Sequence, residues 1–418
     1  MLSVEDALRA VASAAGAPRV TTETVPLGAA VGRVLAEDVL LDHDAPPFDR
    51  ATMDGFAVRS ADVVAGAVLR VAGRVHAGGA SRAPLTAGAA LAIMTGAPLP
   101  AGADAVVPVE RVEVVEGSPG AELRVRVPAG FTQGRHVARR GEQAARGEVV
   151  AAAGTWIHAG TVGVLAAAGR VRVAVAARPR VRILATGDEV VPADRVPGPS
   201  QIRDSNGHAL AAQCARAGAD GRYTGPVPDE PAALRAAVDA ALESAELLCL
   251  SGGVSMGDRD HVPRILEEAG VERIFHRWSV KPGGPLWFGR RGDTLVFGLP
   301  GNPAATFVGF EVLVVPALRT RLGLPFTPRT MLPAAWSGPP VAPIARRQYV
   351  PVDLGLAGPV LTARAIPWAG SGDLFALGRA AGLAVVPEQG AAVPESPSAG
   401  PGTVEVLPLG TLLGRLPT

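Results

Sequence analysis

The chain has 418 residues, of which 48% are hydrophobic and 19% charged, and its net charge is near +1. That length holds two to four domains with sizeable cores, and the near-neutral balance excludes the electrostatic footprint of a general nucleic-acid binder. The 51 glycines and 38 prolines show no collagen-like period, so they signal many turns.

In chain order, Ser3-Val4-Glu5-Asp6 reads as a helix N-cap with acidic residues in the first turn. The helix is expected to run to about Gly16, where glycine can close it. The segment lacks a basic stretch followed by an apolar core, so no export signal is read there and a soluble, cytoplasmic protein is expected. Next comes VPLGAAVGRVLAEDVLLDHDAPPFD, short elements ending in a Pro-rich turn. Residues 56–137 read as β, because LRVAGRV, ALAIMTG, DAVVPVERVEVV and ELRVRVP are β-branched runs broken by Gly, Pro and Ser. Residues 147–178 return to a turn-rich mixed pattern. The reading is an elongated, discontinuous domain (1–45 and 138–178) carrying an inserted β domain (46–137).

From Arg180 the pattern alternates strand and helix. VRILATG, GRYTGPV and ELLCLSGG read as strands; SNGHALAAQCARAG, DEPAALRAAVDAALE (opening on Asp229) and VPRILEEAG read as helices. Hairpin strands follow around WSVKPGGPLWFG and TLVFGLPG, then a closing helix PAATFVGFEVLVVPALRTRLG. This predicts an α/β domain over 179–325, with a mostly parallel sheet covered by helices on both faces. Within the closing helix, FVGFEVLVVPAL is too short to span a membrane and holds Glu311 and Pro316. QYVPVDL, LAVVPE and TVEVLPL predict a small, barrel-like β domain over 326–418.

Chemistry concentrates after the α/β strands. Sheets of this kind bind ligands at the carboxyl ends of their strands, and TGDE, SGGVSMGDRD and GLPGNP all lie there. Asp188, Glu189, Asp258 and Asp260 are carboxylates at strand ends, suited to Mg²⁺ shared with phosphate oxygens. Asp229 reads equally as an ordinary N-cap. Gly252, Gly253, Gly301 and Asn302 let backbone N–H groups approach an anion, and Pro303 opens a helix at its first position. Neither a Walker loop nor a GxGxxG fingerprint is present. Lys281 is the single lysine; every other basic side chain is arginine. Its place in a Gly/Pro turn suits a compact ammonium, although codon bias explains it as simply. Outside this domain, Asp54 lies in a Met-Asp-Gly turn, Thr95 in a tight turn, and Arg139, Arg140 and Glu142 in VARRGEQ; singly these read as turn chemistry or solvated pairs. Cys214 and Cys249 read as small buried hydrophobes, and His43, His208 and His261 have no companion at metal-ligand spacing.

Together VPLGAAVGRVLAEDV, PPFDRATMDGFAV, IMTGAPLPAGADAVVPVE, ATGDEVV, RDSNGHAL, SGGVSMGDRDHV, VKPGGPLWFG and FGLPGNPAATF, in this order, resemble the molybdopterin molybdenumtransferase family, also called MoeA or the gephyrin E domain. The resemblance implies four domains, an α/β domain of molybdopterin-binding type, and a homodimer whose cleft is shared between subunits. It implies a reaction that takes adenylylated molybdopterin and molybdate, releases AMP and uses Mg²⁺. Carried over, Asp54, Thr95, Asp260 and Lys281 are catalytic. Glu189, Asp229 and Asp260 hold metal, and Ser251, Gly252, Gly253, Gly301, Asn302 and Pro303 bind substrate with Glu189 and Asp229. Arg347 and Ser371 supply a cation and a hydroxyl from the last domain. Alternatives are a molybdopterin adenylyltransferase, or a non-catalytic molybdopterin-binding scaffold. Three departures stand out: Gln143 where the family has a carboxylate, Gly284 for a second lysine, and Ala305 for a serine. The last two bear on molybdate affinity more than on fold, and Gly284 leaves Lys281 with little neighbouring charge.

Overall fold

The computed structural model describes residues 1–79, 83–116, 123–254, 261–339, 341–389 and 402–410. The chain divides into two units, Met1–Glu23 with Val175–Thr418, and Thr24–Ala174.

The first unit is organised on a six-stranded sheet. Strands β1 (Arg180–Thr186), β2 (Asp220–Val227), β3 (Leu247–Ser251), β4 (Glu272–His276), β5 (Trp287–Arg291) and β6 (Thr294–Leu299) stand in the order β2-β1-β3-β6-β5-β4. The first four in that order are parallel; β5 runs antiparallel to β6, and β4 antiparallel to β5. Strands buried on both faces need apolar side chains at every position, and β3, LLCLS, is buried throughout. Its side chains divide by the two-residue period of a strand. Leu247 and Cys249 join one core with Ile183 and Phe297, while Leu248 and Leu250 join the opposite core with Leu184 and Val296. Helices α1 (Val4–Ala15), α2 (Asn206–Arg216) and α5 (Pro303–Arg321) cover the first face; α3 (Pro231–Ser244) and α4 (Val262–Glu268) cover the second.

α1 forms as its sequence dictates. The Ser3 hydroxyl accepts the Asp6 N–H at 3.0 Å, Gly16 closes the helix at φ +69°, and Val4, Ala7, Val11 and Ala15 form the buried stripe. α5 is the expected closing helix, ending at Arg321. Its nineteen residues are long and apolar enough to cross a membrane, yet most of them are buried in the protein's own core. A wider π-helical turn over Phe310–Val314 interrupts it, next to Pro316, whose ring nitrogen has no hydrogen to donate back along the helix.

Two expectations are corrected. α3 begins at Pro231 with Glu230 as its cap, so Asp229 stands outside the helix. Val280–Lys281 does not join the α/β hairpin; it pairs in parallel with Arg347–Gln348. There it extends a closed five-stranded barrel formed by Arg347–Ala357, Val360–Ala365, Leu332–Trp336, Thr403–Pro408 and Gly382–Val386, the last pairing back to the first. Inside this otherwise β region, a short helix Leu374–Arg379 starts on Asp373, whose carboxylate accepts the Ala376 N–H at 3.0 Å.

The second unit holds a mixed six-stranded sheet, Ala105–Pro108, Gly55–Val58, Ala89–Ile93, Val68–Val75, Arg124–Arg126 and Glu113–Glu116 in spatial order. Its strands also alternate between two cores, Ala57, Leu91 and Val106 on one side, Phe56, Val58 and Val107 on the other. Gly55 is required by packing: a Cβ there would stand 2.0 Å from the Val107 carbonyl oxygen.

Candidate active site

A cleft of about 760 Å³ opens where β1, β3 and β6 end, the rim at which parallel sheets bind ligands. Of the residues singled out from the sequence, Glu189, Asp229, Ser251, Gly252, Gly253, Lys281, Gly301, Asn302, Pro303 and Ser371 all line it.

Its carboxylates come from the loops after β1 and β2. Thr186, the last residue of β1, donates its hydroxyl to Asp229 Oδ1 at 2.5 Å, and the Asp229 N–H donates to Asp188 Oδ1 at 3.2 Å. Relieved of capping α3, the Asp229 carboxylate is turned to the cleft wall. Glu189 folds back over Gly187, where a Cβ would stand 2.8 Å from its Oε2. After β3, Gly252 lies at φ +98° and a Cβ would meet the Thr186 carbonyl oxygen at 2.3 Å. Only glycine lets this turn lie against the end of β1.

The start of α5 forms another wall. Asn302 precedes it with no side-chain cap bond; its amide instead donates to Ser371 Oγ at 3.0 Å, and the Ala304 N–H donates to the Ser371 carbonyl at 3.0 Å. The barrel loop therefore occupies part of the helix N-terminus that the sequence assigns to an anion. Gly283 presses on the first turn of α5, a Cβ there lying 3.2 Å from the Ala305 carbonyl oxygen.

Three cations among the described residues line the cleft, and Lys281 and Arg346 are set apart from Arg203 by their surroundings. Neither side chain has a hydrogen bond or ion pair among the described residues. Arg346, although half-buried, places Nη1 3.6 Å from where a Gly284 Cβ would be, so Lys281 has more neighbouring charge than the sequence suggests. The family resemblance pointed to the next residue, but Arg347 does not line the cleft. Its guanidinium pairs with Glu5 at 2.7 Å and Glu388 at 3.5 Å, tying α1 to the barrel.

Asp54 and Thr95 lie in the second unit. The Thr95 N–H and hydroxyl both donate to Asp54 Oδ1, at 2.6 and 2.8 Å, and these bonds, the backbone one foremost, hold the exposed carboxyl below its ordinary range. Asp258 and Asp260 lie outside the described residues. Among the described residues no group of three or more His, Cys, Asp or Glu side chains is placed to hold a metal. Both cysteines are free and buried; burial pushes the Cys214 thiol up to about 12 and raises Cys249 as well.

Sequence reasoning assigned no role to Asn206, Arg203, Arg346 and Trp368, which also line the cleft. Arg203 donates Nε to the Arg195 carbonyl at 2.9 Å, and Trp368 is the one aromatic ring among the described lining residues. Asn206 was within reach, since RDSN follows a short strand and opens a helix. Nothing local distinguishes Arg346 from Arg347, because only their long-range partners separate them.

Residues 2–169 match the model of the MoeA N-terminal region (domain I and II), and residues 182–320 that of a probable molybdopterin binding domain. A molybdopterin molybdenumtransferase from Bacillus subtilis is 38% identical over 72% of this chain and 71% of its own length. Molybdopterin molybdenumtransferase 1 from Mycobacterium tuberculosis is 36% identical over 84% of this chain and 85% of its own. A solved molybdopterin biosynthesis MoeA protein from Pyrococcus horikoshii superposes with a TM-score of 0.77 at 31% identity, covering 98% of this chain and 99% of that one. With relatives at this identity over most of both lengths, and two domain models matching in the family's order, the chain belongs to the molybdopterin molybdenumtransferase family.

Proposed function

We propose that the protein inserts molybdate into adenylylated molybdopterin and releases AMP. One observation carries this: a single cleft is lined both by rim carboxylates, Glu189 and Asp229, and by cations whose side chains have no partner among the described residues, Lys281 and Arg346. A substrate with a metal-bound pyrophosphate needs the first set and an incoming oxyanion needs the second. Glu189 and Asp229 fit Mg²⁺, which takes one or two protein carboxylates and leaves its other positions to phosphate oxygens; Asp260 is assigned with them from the resemblance. When bound, the ion neutralises charge on the phosphates as AMP departs. Thr186 fixes the Asp229 carboxylate, the glycine turn after β3 admits phosphate against backbone, and Lys281 with Arg346 draws molybdate to the cleft. The test is AMP release from adenylylated molybdopterin with and without molybdate, expected only in its presence and in the presence of Mg²⁺. Consumption of ATP with unmodified molybdopterin would identify an adenylyltransferase instead.

The same reading includes a cytoplasmic homodimer of four-domain subunits, divided as 1–45 with 138–178, 46–137, 179–325 and 326–418. Asp54 and Thr95 then serve the cleft of the second copy. What supports this is the Asp54 carboxylate, held by two bonds in an exposed turn at the end of its strand. Asp54→Ala and Asp229→Ala should each be inactive alone. Mixed under confirmed subunit exchange they should recover up to about a quarter of wild-type activity, because half the sites of half the dimers are intact by the symmetry of a two-fold dimer. A monomer by light scattering, or no recovery, rejects the shared cleft.

A further inference from the structure

We propose that Asn206 is a positioning residue that fixes the distance between the two glycine turns of the cleft, an inference that rests on the function proposed above. Its side-chain amide donates one hydrogen to Ser251 Oγ at 2.8 Å and the other to the Gly301 carbonyl at 2.7 Å. Ser251 ends β3 and leads into Gly252-Gly253; Gly301 lies between β6 and α5. The ladder between β3 and β6 stops at Ser251 opposite Leu299, with one further bond from the Gly252 N–H to the Leu299 carbonyl at 3.1 Å. Beyond that point the described residues show Asn206 as the side chain that bonds to both turns. Ser251 continues the chain of bonds, its hydroxyl donating to the Pro300 carbonyl at 3.4 Å.

The strut has a firm base. Asn206 is the first residue of α2, but Asp204 takes over the capping there, accepting the Gly207 N–H at 3.1 Å. Gly207 in turn is pressed on β2: a Cβ would stand 2.5 Å from the Tyr223 ring and 2.6 Å from Asp204 Oδ2. The Asn206 amide is therefore free to reach across the rim from a backbone that cannot shift. Other side chains do not substitute. Aspartate has no hydrogen to donate and would face the Gly301 carbonyl with like charge, serine offers one donor, and glutamine is one methylene too long. The consequence for the reaction is geometric. One substrate must meet the β3 turn with its phosphates while the group transferred meets the start of α5, so the rate depends on the spacing of the two turns more than on either alone.

The test uses the full-length protein with Asn206→Asp, close in shape to the original, Asn206→Ala and Ser251→Ala. Misplacing reacting groups by about 1 Å costs about 100-fold, so both Asn206 variants should lose about that much kcat in AMP release while KM changes little. Ser251→Ala, which removes one of the two ties, should lose less, and its loss should not add to that of Asn206→Ala. Amide hydrogen exchange should accelerate in residues 251–254 and 300–306 and stay unchanged elsewhere. Wild-type kcat in Asn206→Asp, or unchanged exchange in both turns, overturns the proposal. So does global unfolding of both Asn206 variants, because the residue would then hold the fold rather than the turns. Exchange is read without substrate, so it stands even where the wild-type protein releases no AMP, the outcome that would instead reject the function proposed above.

Discussion

Lys281→Ala is expected to lower kcat for AMP release by about 10²–10³, the effect of removing one preorganised group facing charge in a transition state. The fold should persist, since the Lys281 side chain is exposed and no described residue pairs with its ammonium. The loss should fall on kcat more than on binding of the adenylylated substrate, because the ammonium is assigned to the incoming oxyanion. Lys281→Arg should restore little. The turn that follows, Pro282 to Pro285, is packed: the Trp278 indole donates to the Gly283 carbonyl at 2.7 Å, and Arg346 already holds a guanidinium beside Gly284. A second planar fork there competes for the same space, whereas an ammonium is a compact point charge. The converse variant, Gly284→Lys, has room at its Cβ, with nothing nearer than 3.6 Å, and should tighten molybdate binding with a steeper dependence on salt. Steady-state AMP release at saturating and at limiting molybdate checks these outcomes. Wild-type rates for both Lys281 variants would remove the lysine from the reaction.

What the sequence made legible divides by range. Where local chemistry decides, the reading held: α1 starts on Ser3 and stops at Gly16, β3 is a buried apolar run, and the glycine turns follow the strands. Parallel order then brought those turns to one rim without any knowledge of contacts. Long-range pairing decided the rest. Val280–Lys281 looks like part of a hairpin because it precedes PGGP, but its backbone partner is Arg347–Gln348 in the barrel. That same pairing carries adjacent arginines into different surroundings, Arg346 to the cleft and Arg347 to Glu5. Asp229 reads as a helix cap because it opens the helix-like run DEPAALRAAVDAALE; a cap at Glu230 and the hydroxyl of Thr186, on another strand, give its carboxylate to the cleft.

Glu311→Ala should cost about 3–5 kcal/mol of stability, the range for breaking a buried charge cluster by removing one partner. Glu311 is fully buried in the π-helical turn of α5. It accepts from Gln213 Nε2 at 2.7 Å and from the Arg216 guanidinium, and Arg329 Nε lies 3.4 Å from its other oxygen. Arg216 and Arg329 also donate to the carbonyls of Leu409 and Pro408, at 3.2 and 2.8 Å. One carboxylate thus joins α5, α2 and the end of the barrel. Burial lowers the Arg329 pKa while Glu311 opposes that shift, so deleting Glu311 leaves two cations with their desolvation uncompensated. Urea titration should show a lower midpoint with little change in slope. A loss no greater than that of an exposed ion pair, about 1 kcal/mol, would mean that the cluster contributes nothing beyond a surface contact.

α1 has a further consequence for how the protein comes off the ribosome. Its apolar stripe docks on the second half of α5, which is made only after the whole Thr24–Ala174 unit and the six sheet strands. The Thr24–Ala174 unit is one continuous stretch, so it has every internal partner early. The stripe of Val4, Ala7, Val11 and Ala15 instead waits through most of translation for the α5 surface on which it docks. A nascent chain of this protein thus carries α1 ahead of the Thr24–Ala174 unit before its α5 partner is made, and a chain released before Pro303 lacks the surface on which that stripe docks.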